Sequence, residues 1–219
     1  MDLQQAKLHL ETSVLMGVDF LPVSEQSLPQ TIADSQTLLT QLSKTHDATC
    51  PHCTRVTGYT QTVFGVGNPI ASLMFIGEAP GAEEDRIGIP FVGDAGKKLD
   101  EIISAMGMQR DEVYIANVLK SRPPNNRTPT PEEIRHCAPF LTQQVAIVQP
   151  KVIVALGSPA AKFLLQTSRG ITQLRGSWGT FEGISVMPTF HPAYLLRNYT
   201  KEIRAQMWSD MQQVMEKLR

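Results

Sequence analysis

Residues 50–53 read "CPHC", two cysteines at metal-ligand spacing, and the chain holds one further cysteine, Cys137. An all-cysteine zinc site or an iron–sulfur cluster asks for four thiolates, so three leave one ligand to be found. His52 and His136 flank the cysteines and suit zinc. A thioredoxin-like reading wants CxxC just after a strand and opening a helix, whereas here the motif precedes every strand. Further along, "GEAPG" (77–81) puts Glu78 directly behind an apolar run, among glycines that let a backbone approach a ligand. The bland alternative is a strand-to-loop turn. "HPAYLLR" (191–197) puts His191 before a proline suited to the first position of a helix. A histidine there stays neutral and donates a hydrogen bond, or merely caps the helix. Phe91, in "GIPFVG", offers a ring to stack on a planar ligand or a core side chain. Asn117 closes an apolar run and offers either an amide that reads a base edge or a turn residue.

These residues need elements to hold them. Apolar runs at 70–77, 112–118, 151–157 and 184–190 read as strands buried on both faces. Helical patterns fall between and after them, at 94–108, 130–148, 158–166 and 200–217. A short helix over about 34–46 delivers the chain to CPHC. Alternation of this kind implies a three-layer α/β/α sandwich around a four-stranded parallel sheet. Ligands bind such sheets beyond the C-terminal ends of the strands, where Glu78, Asn117 and His191 all fall. Residues 1–33 read as an N-terminal extension, an amphipathic helix and a polar linker, and 34–219 as one domain.

The composition narrows the classes. With 42% hydrophobic residues the chain can build a real core. Three cysteines do not make a secreted disulfide framework, and no run is apolar and long enough to span a bilayer, so a cytoplasmic protein is expected. A net charge of −1 carries no global basic field, and a nucleic-acid partner would need a local basic rim.

Three long motifs, "GEAPGAEEDRIGIPFVGDAGKKLD", "YIANVLKSRPPNNRTPTPEE" and "MPTFHPAYLLR", together resemble the family 4 uracil-DNA glycosylases, the iron–sulfur branch of their superfamily. The resemblance covers about residues 45 to 219. It implies the uracil-glycosylase sandwich and hydrolysis of the N-glycosidic bond of a flipped deoxyuridine, the first step of base excision repair. Phe91 would stack on uracil, Asn117 would bind its polar edge, and backbone near Ala79 and Gly81 would hold the base or a water. His191 would donate to uracil O2 and Glu78 would position water, with Glu84 and Asp85, ranked below Glu78, as candidates for the same duty or for loop structure. Lys120, Arg122, Arg127 and Arg197 would contact phosphates, and Leu195 or Leu196 would wedge into the gap left by the base.

The family binds a [4Fe-4S] cluster through four cysteines, which fall here on Cys50, Cys53, Ser121 and Cys137. A serine oxygen is harder and more basic than a thiolate and ligates iron poorly. Three outcomes stand open: a cluster completed by Ser121 or a nearby histidine, a labile three-cysteine cluster, or none. The expectation is a weakened cluster of structural role. A related branch that traps DNA covalently carries "GEQPG" and a basic insertion; this chain has neither, so turnover is expected. The rivals are a non-catalytic uracil- or DNA-binding protein and a zinc- or redox-linked regulator. The expected partner is uracil-containing DNA, single- or double-stranded. The protein is expected to be a monomer without membrane contact, its N-terminal helix either folded back onto the domain, the preferred reading, or docking a protein partner.

Overall fold

The computed structural model describes residues 31–219, and the helix expected over 1–20 lies outside the described residues. Six strands form one sheet: β1 (Val66–Gly67), β2 (Leu73–Gly77), β3 (Tyr114–Asn117), β4 (Val152–Leu156), β5 (Gly179–Phe181) and β6 (Ile184–Thr189). Their spatial order is β1-β3-β2-β4-β6-β5. The inner four are parallel, with Phe75 opposite Ile115 on one side and Val154 on the other. These are the four strands the apolar runs announce, each one to three residues shorter than expected. The short outer strands β1 and β5 are antiparallel additions that the sequence reading missed. β5 returns into β6 through Glu182 and Gly183, both at positive φ, the backbone of a tight type I′-like hairpin.

Among the described residues the α-helices are α1 (Ile32–Thr49), α2 (Ala82–Ile87), α3 (Asp94–Ala105), α4 (Pro131–Val148), α5 (Ser158–Leu164), α6 (Ile171–Leu174), α7 (Pro192–Arg197) and α8 (Lys201–Leu218). They cover both faces of the sheet, and side-chain alternation along each strand decides which. Met74 and Ile76 of β2 pack with Leu39 of α1, Leu141 and Val145 of α4, and Leu164 of α5. Their neighbours Leu73 and Phe75 pack with Leu99 and Ile103 of α3 and with Met207 and Met211 of α8. The result is the expected three-layer α/β/α arrangement, its sheet mixed at the edges.

A third apolar cluster lies at the end of α1. Leu42, Phe64, Leu119 and Phe140 enclose Cys50, Cys53 and Cys137. α1 ends where Cys50 caps it, its N–H bonded to the His46 carbonyl at 2.9 Å. α4 begins with Pro131 in its first turn and a capping box. The Thr130 side chain accepts from the Glu133 N–H, and Glu133 accepts from the Thr130 N–H at 2.8 Å.

Candidate active site and metal centre

A cleft of about 600 Å³ opens at the C-terminal ends of the parallel strands. Glu78, Ala79, Gly81, Glu84, Phe91, Asn117, Arg127, His191 and Arg197 all line it. They come from five separate stretches, so the sheet brings together what the sequence scatters.

Asn117 ends β3 and is buried, and its Oδ1 has no hydrogen-bond partner. A buried acceptor left bare costs about 1–3 kcal/mol, which a donor on a bound molecule would recover. Phe91 lies beside it at a φ of 53°, a left-handed conformation that a bulky residue rarely adopts. Between the two sits Gly77, where an added Cβ would come within 2.4 Å of Asn117 Oδ1 and 2.5 Å of the Phe91 ring. The glycine at the end of β2 therefore exists for this approach.

His191 caps α7. Its Nδ1 accepts from the Ala193 N–H at 3.1 Å, so in the neutral ring the proton sits on Nε2. Burial, and secondarily the Arg197 charge, pull its pKa down to about 4. The group is thus a neutral donor at working pH. Its ring stacks on Phe91, centroids 5.5 Å apart and planes at 28°. Gly157, at a φ of +88°, lets the histidine in, since a Cβ there would stand 3.0 Å from His191 Cβ. Glu78 is half-buried, and burial raises its pKa.

Several expected roles are corrected. Of the two roles open to Glu84, its contacts support loop structure: its carboxylate accepts from the N–H groups of Gly81, Val92 and Gly93 at 2.9–3.1 Å. It braces the loop that presents Phe91. Asp85 does the same for Thr60 and Gln61. Lys120 cannot meet phosphate: it is wholly buried, its amine donating to Asn117 O at 2.8 Å and to Gln144 Oε1. Burial pulls its pKa down to about 7, against the pull of the nearby cysteines. Leu195 is 4% exposed and packs in the core, whereas Leu196 is 43% exposed. Arg127 lines the cleft while forking onto Glu133 at 2.6 and 2.8 Å. Arg122 donates to Asn126 Oδ1 at 2.7 Å, outside the cleft lining.

The cysteines converge about a second site. Cys137 Sγ lies 3.7 Å from Cys50 Sγ and 3.8 Å from Cys53 Sγ. Hydrogen bonds from Cys137 and then Cys53 hold the Cys50 thiol well below the ordinary range. Ser121 Oγ accepts from Cys53 Sγ at 3.2 Å. The nearby histidine is neither His52 nor His136 but His46, which the sequence reading missed. A ring nitrogen of His46 and the three sulfurs lie within 4.8 Å of one another, all four residues buried. The signal was available: His46 stands four residues before Cys50, one helical turn away on the same face. Three thiols and an imidazole suit zinc or another thiophilic metal, so the donor set fits a metal centre. No helix among the described residues is long and apolar enough to cross a membrane.

Comparison with known proteins matches residues 64–212 to the uracil DNA glycosylase superfamily. A type-4 uracil-DNA glycosylase of Thermotoga maritima is 47% identical over 74% of this chain and 86% of its own. One from Archaeoglobus fulgidus is 41% identical over 76% of this chain and 87% of its own. One from Sulfurisphaera tokodaii is 42% identical over 76% and 79%. With a matching stretch that holds Glu78, Phe91, Asn117 and His191 in one cleft, the chain belongs to the uracil DNA glycosylase superfamily.

Proposed function

We propose that the protein is a uracil-DNA glycosylase that hydrolyses the C1′–N1 bond of a deoxyuridine flipped into the cleft, releasing uracil and leaving an abasic site. The carrying observation is the juxtaposition of a bare buried amide oxygen, an aromatic face, a neutral imidazole and a half-buried carboxylate. A base inside a duplex is out of reach, so it must leave the stack; a cleft of about 600 Å³ has room for it.

The Asn117 amide selects the base. Its Oδ1 accepts the uracil N3–H and its amino group donates to O4. Cytosine has an acceptor at the first position and a donor at the second, so both contacts would fail together in a dry pocket. Phe91 supplies the stacking face. As the glycosidic bond breaks, negative charge collects on uracil O2, where the Nε2–H of His191 donates to it. A neutral donor is already in place and need not be re-oriented as charge develops. The Glu78 carboxylate opposes the positive charge on the sugar and orients the attacking water. Arg197 and Arg127 at the rim meet phosphates, and Leu196 fills the vacated stack. Together they form the local rim that a net charge of −1 conceals.

The metal centre is proposed to be structural. Cys50 ends α1, Cys53 follows in the next loop and Cys137 lies in α4, so a metal there joins segments flanking the cleft without touching the reacting atoms. Resemblance to the family implies a [4Fe-4S] cluster, for which this chain offers three thiolates and Ser121 at the place of the fourth. Cytoplasmic DNA repair as a monomer is proposed with it.

The test is excision from a labelled uracil-containing oligonucleotide, followed by alkaline cleavage at the abasic site. We expect turnover by the parent, and a loss on the order of a hundredfold or more in His191→Ala, as for one oxyanion donor. An intact oligonucleotide with the parent protein would reject the proposal in favour of a non-catalytic binder.

A further inference from the structure

We propose that the metal centre of this chain is a single tetrahedral cation held by Cys50, Cys53, Cys137 and His46, a zinc-type site in which His46 replaces the ligand lost at Ser121. The sulfur spacing carries it. A tetrahedral ion with metal–sulfur bonds near 2.3 Å holds its sulfurs about 3.8 Å apart; here they stand 3.7 and 3.8 Å apart. In a four-iron cubane each thiolate ligates its own iron and the sulfurs splay outward from the corners, well beyond contact. The protein places its cysteines for one ion.

His46 is prepared as a ligand. It is fully buried, and its Nε2 has no hydrogen-bond partner. Its Nδ1 lies 3.0 Å from Asp47 Oδ1, which also accepts from Thr62 Oγ1 at 2.8 Å. That carboxylate fixes the proton on Nδ1 and leaves the Nε2 lone pair free, the outer-shell pattern of metal-bound histidines. The ring is clamped edge-on against Phe140, centroids 4.9 Å apart. Ser121 makes a poor fourth ligand because a hydroxyl is hard and keeps its proton, and its oxygen already accepts from Cys53. Binding of a divalent cation releases the cysteine protons and leaves a centre of charge −1.

This inference is independent of the glycosylase reading, because its readout is metal rather than uracil release. The full chain is purified anaerobically from cells supplied with iron and zinc, then assayed for iron, acid-labile sulfide and zinc. We expect one zinc per chain and no sulfide. Cobalt(II) exchanged into the site should show the visible bands of a tetrahedral thiolate centre. In His46→Ala, zinc affinity should fall by at least the roughly ten- to hundredfold that losing an outer-shell partner costs, and Asp47→Ala should fall within that range. Should His46→Ala fail to fold, His46→Cys restores a soft ligand and should keep both zinc and fold. Ser121→Ala should bind zinc as the parent does. Iron and sulfide in matched multiple equivalents would overturn the proposal. So would zinc binding that is weakened by Ser121→Ala and indifferent to His46.

Discussion

At His191 a single hydrogen bond decides the chemistry. The Ala193 N–H holds Nδ1 as acceptor, and burial keeps the ring neutral down to a pKa of about 4. Glu78, raised by burial above an ordinary 4.5, must be ionised to oppose sugar charge. Activity should therefore rise with pH along an acid limb centred above 4.5 and show no inflection near 6.5, where an ordinary histidine titrates. The measurement is single-turnover excision against pH. A limb near 6.5 that disappears in His191→Ala would contradict the assignment of a neutral donor. Gly77→Ala tests the floor of the cleft. The added methyl would meet Asn117 Oδ1 at 2.4 Å and Phe91 at 2.5 Å, so excision should fall on the order of a hundredfold, as it does when a positioned group is displaced by about an ångström. Thermal stability read alongside separates this from unfolding.

The elements hold these residues through their ends. β6 is tied to α8 just before His191: Thr189 Oγ1 donates to Asp210 Oδ2 at 2.6 Å, and Arg175 pairs with the same buried carboxylate. α4 is fixed at its start by Glu133, which accepts from Thr130 and from Arg127. The Arg127 side chain, foremost, pulls the Glu133 pKa down to about 2. A depressed carboxylate stabilises above its ordinary 4.5 and loses that contribution as pH falls through about 2. Glu133→Gln should therefore melt lower than the parent near neutrality. A cap of about 1 kcal/mol corresponds to about 2–4 °C in a chain of this size. The gap should narrow below pH 4.5 and close near 2. A gap unchanged down to that pH would mean that Glu133 acts through packing alone.

Across the whole molecule, a sheet with helices on both faces leaves the C-terminal strand ends as the open edge, and the cleft lies there. Arg127 and Arg197 border it, so DNA affinity should fall steeply with salt. Arg197→Ala should weaken binding to uracil-containing and undamaged DNA alike and flatten the log–log salt slope by about one. Loss confined to uracil-containing DNA would instead put Arg197 among the groups that read the base.

The sequence by itself determined the parallel core, because each inner strand is buried on both faces and must be written as a nearly unbroken apolar run. It also pointed to Glu78, Asn117 and His191, which fall at strand-to-loop junctions where open α/β sheets bind ligands, and the structure brings them to one cleft with Phe91. The outer strands escaped notice: β1 has two residues and β5 three, too few for a period. The turn at Glu182 and Gly183 lacks the usual asparagine or aspartate. Only the tertiary structure decided which polar residues face the cleft. Lys120 and Arg197 look equally cationic in the sequence, yet one points into the protein and the other borders the site. Leu195 and Leu196 differ only in their direction around one short helix. Ser121 drew attention by being the wrong residue in a matching position, while the imidazole that completes the donor set stood one helical turn before Cys50. Ligand sets are chosen by distance in three dimensions, and distance is what folding supplies.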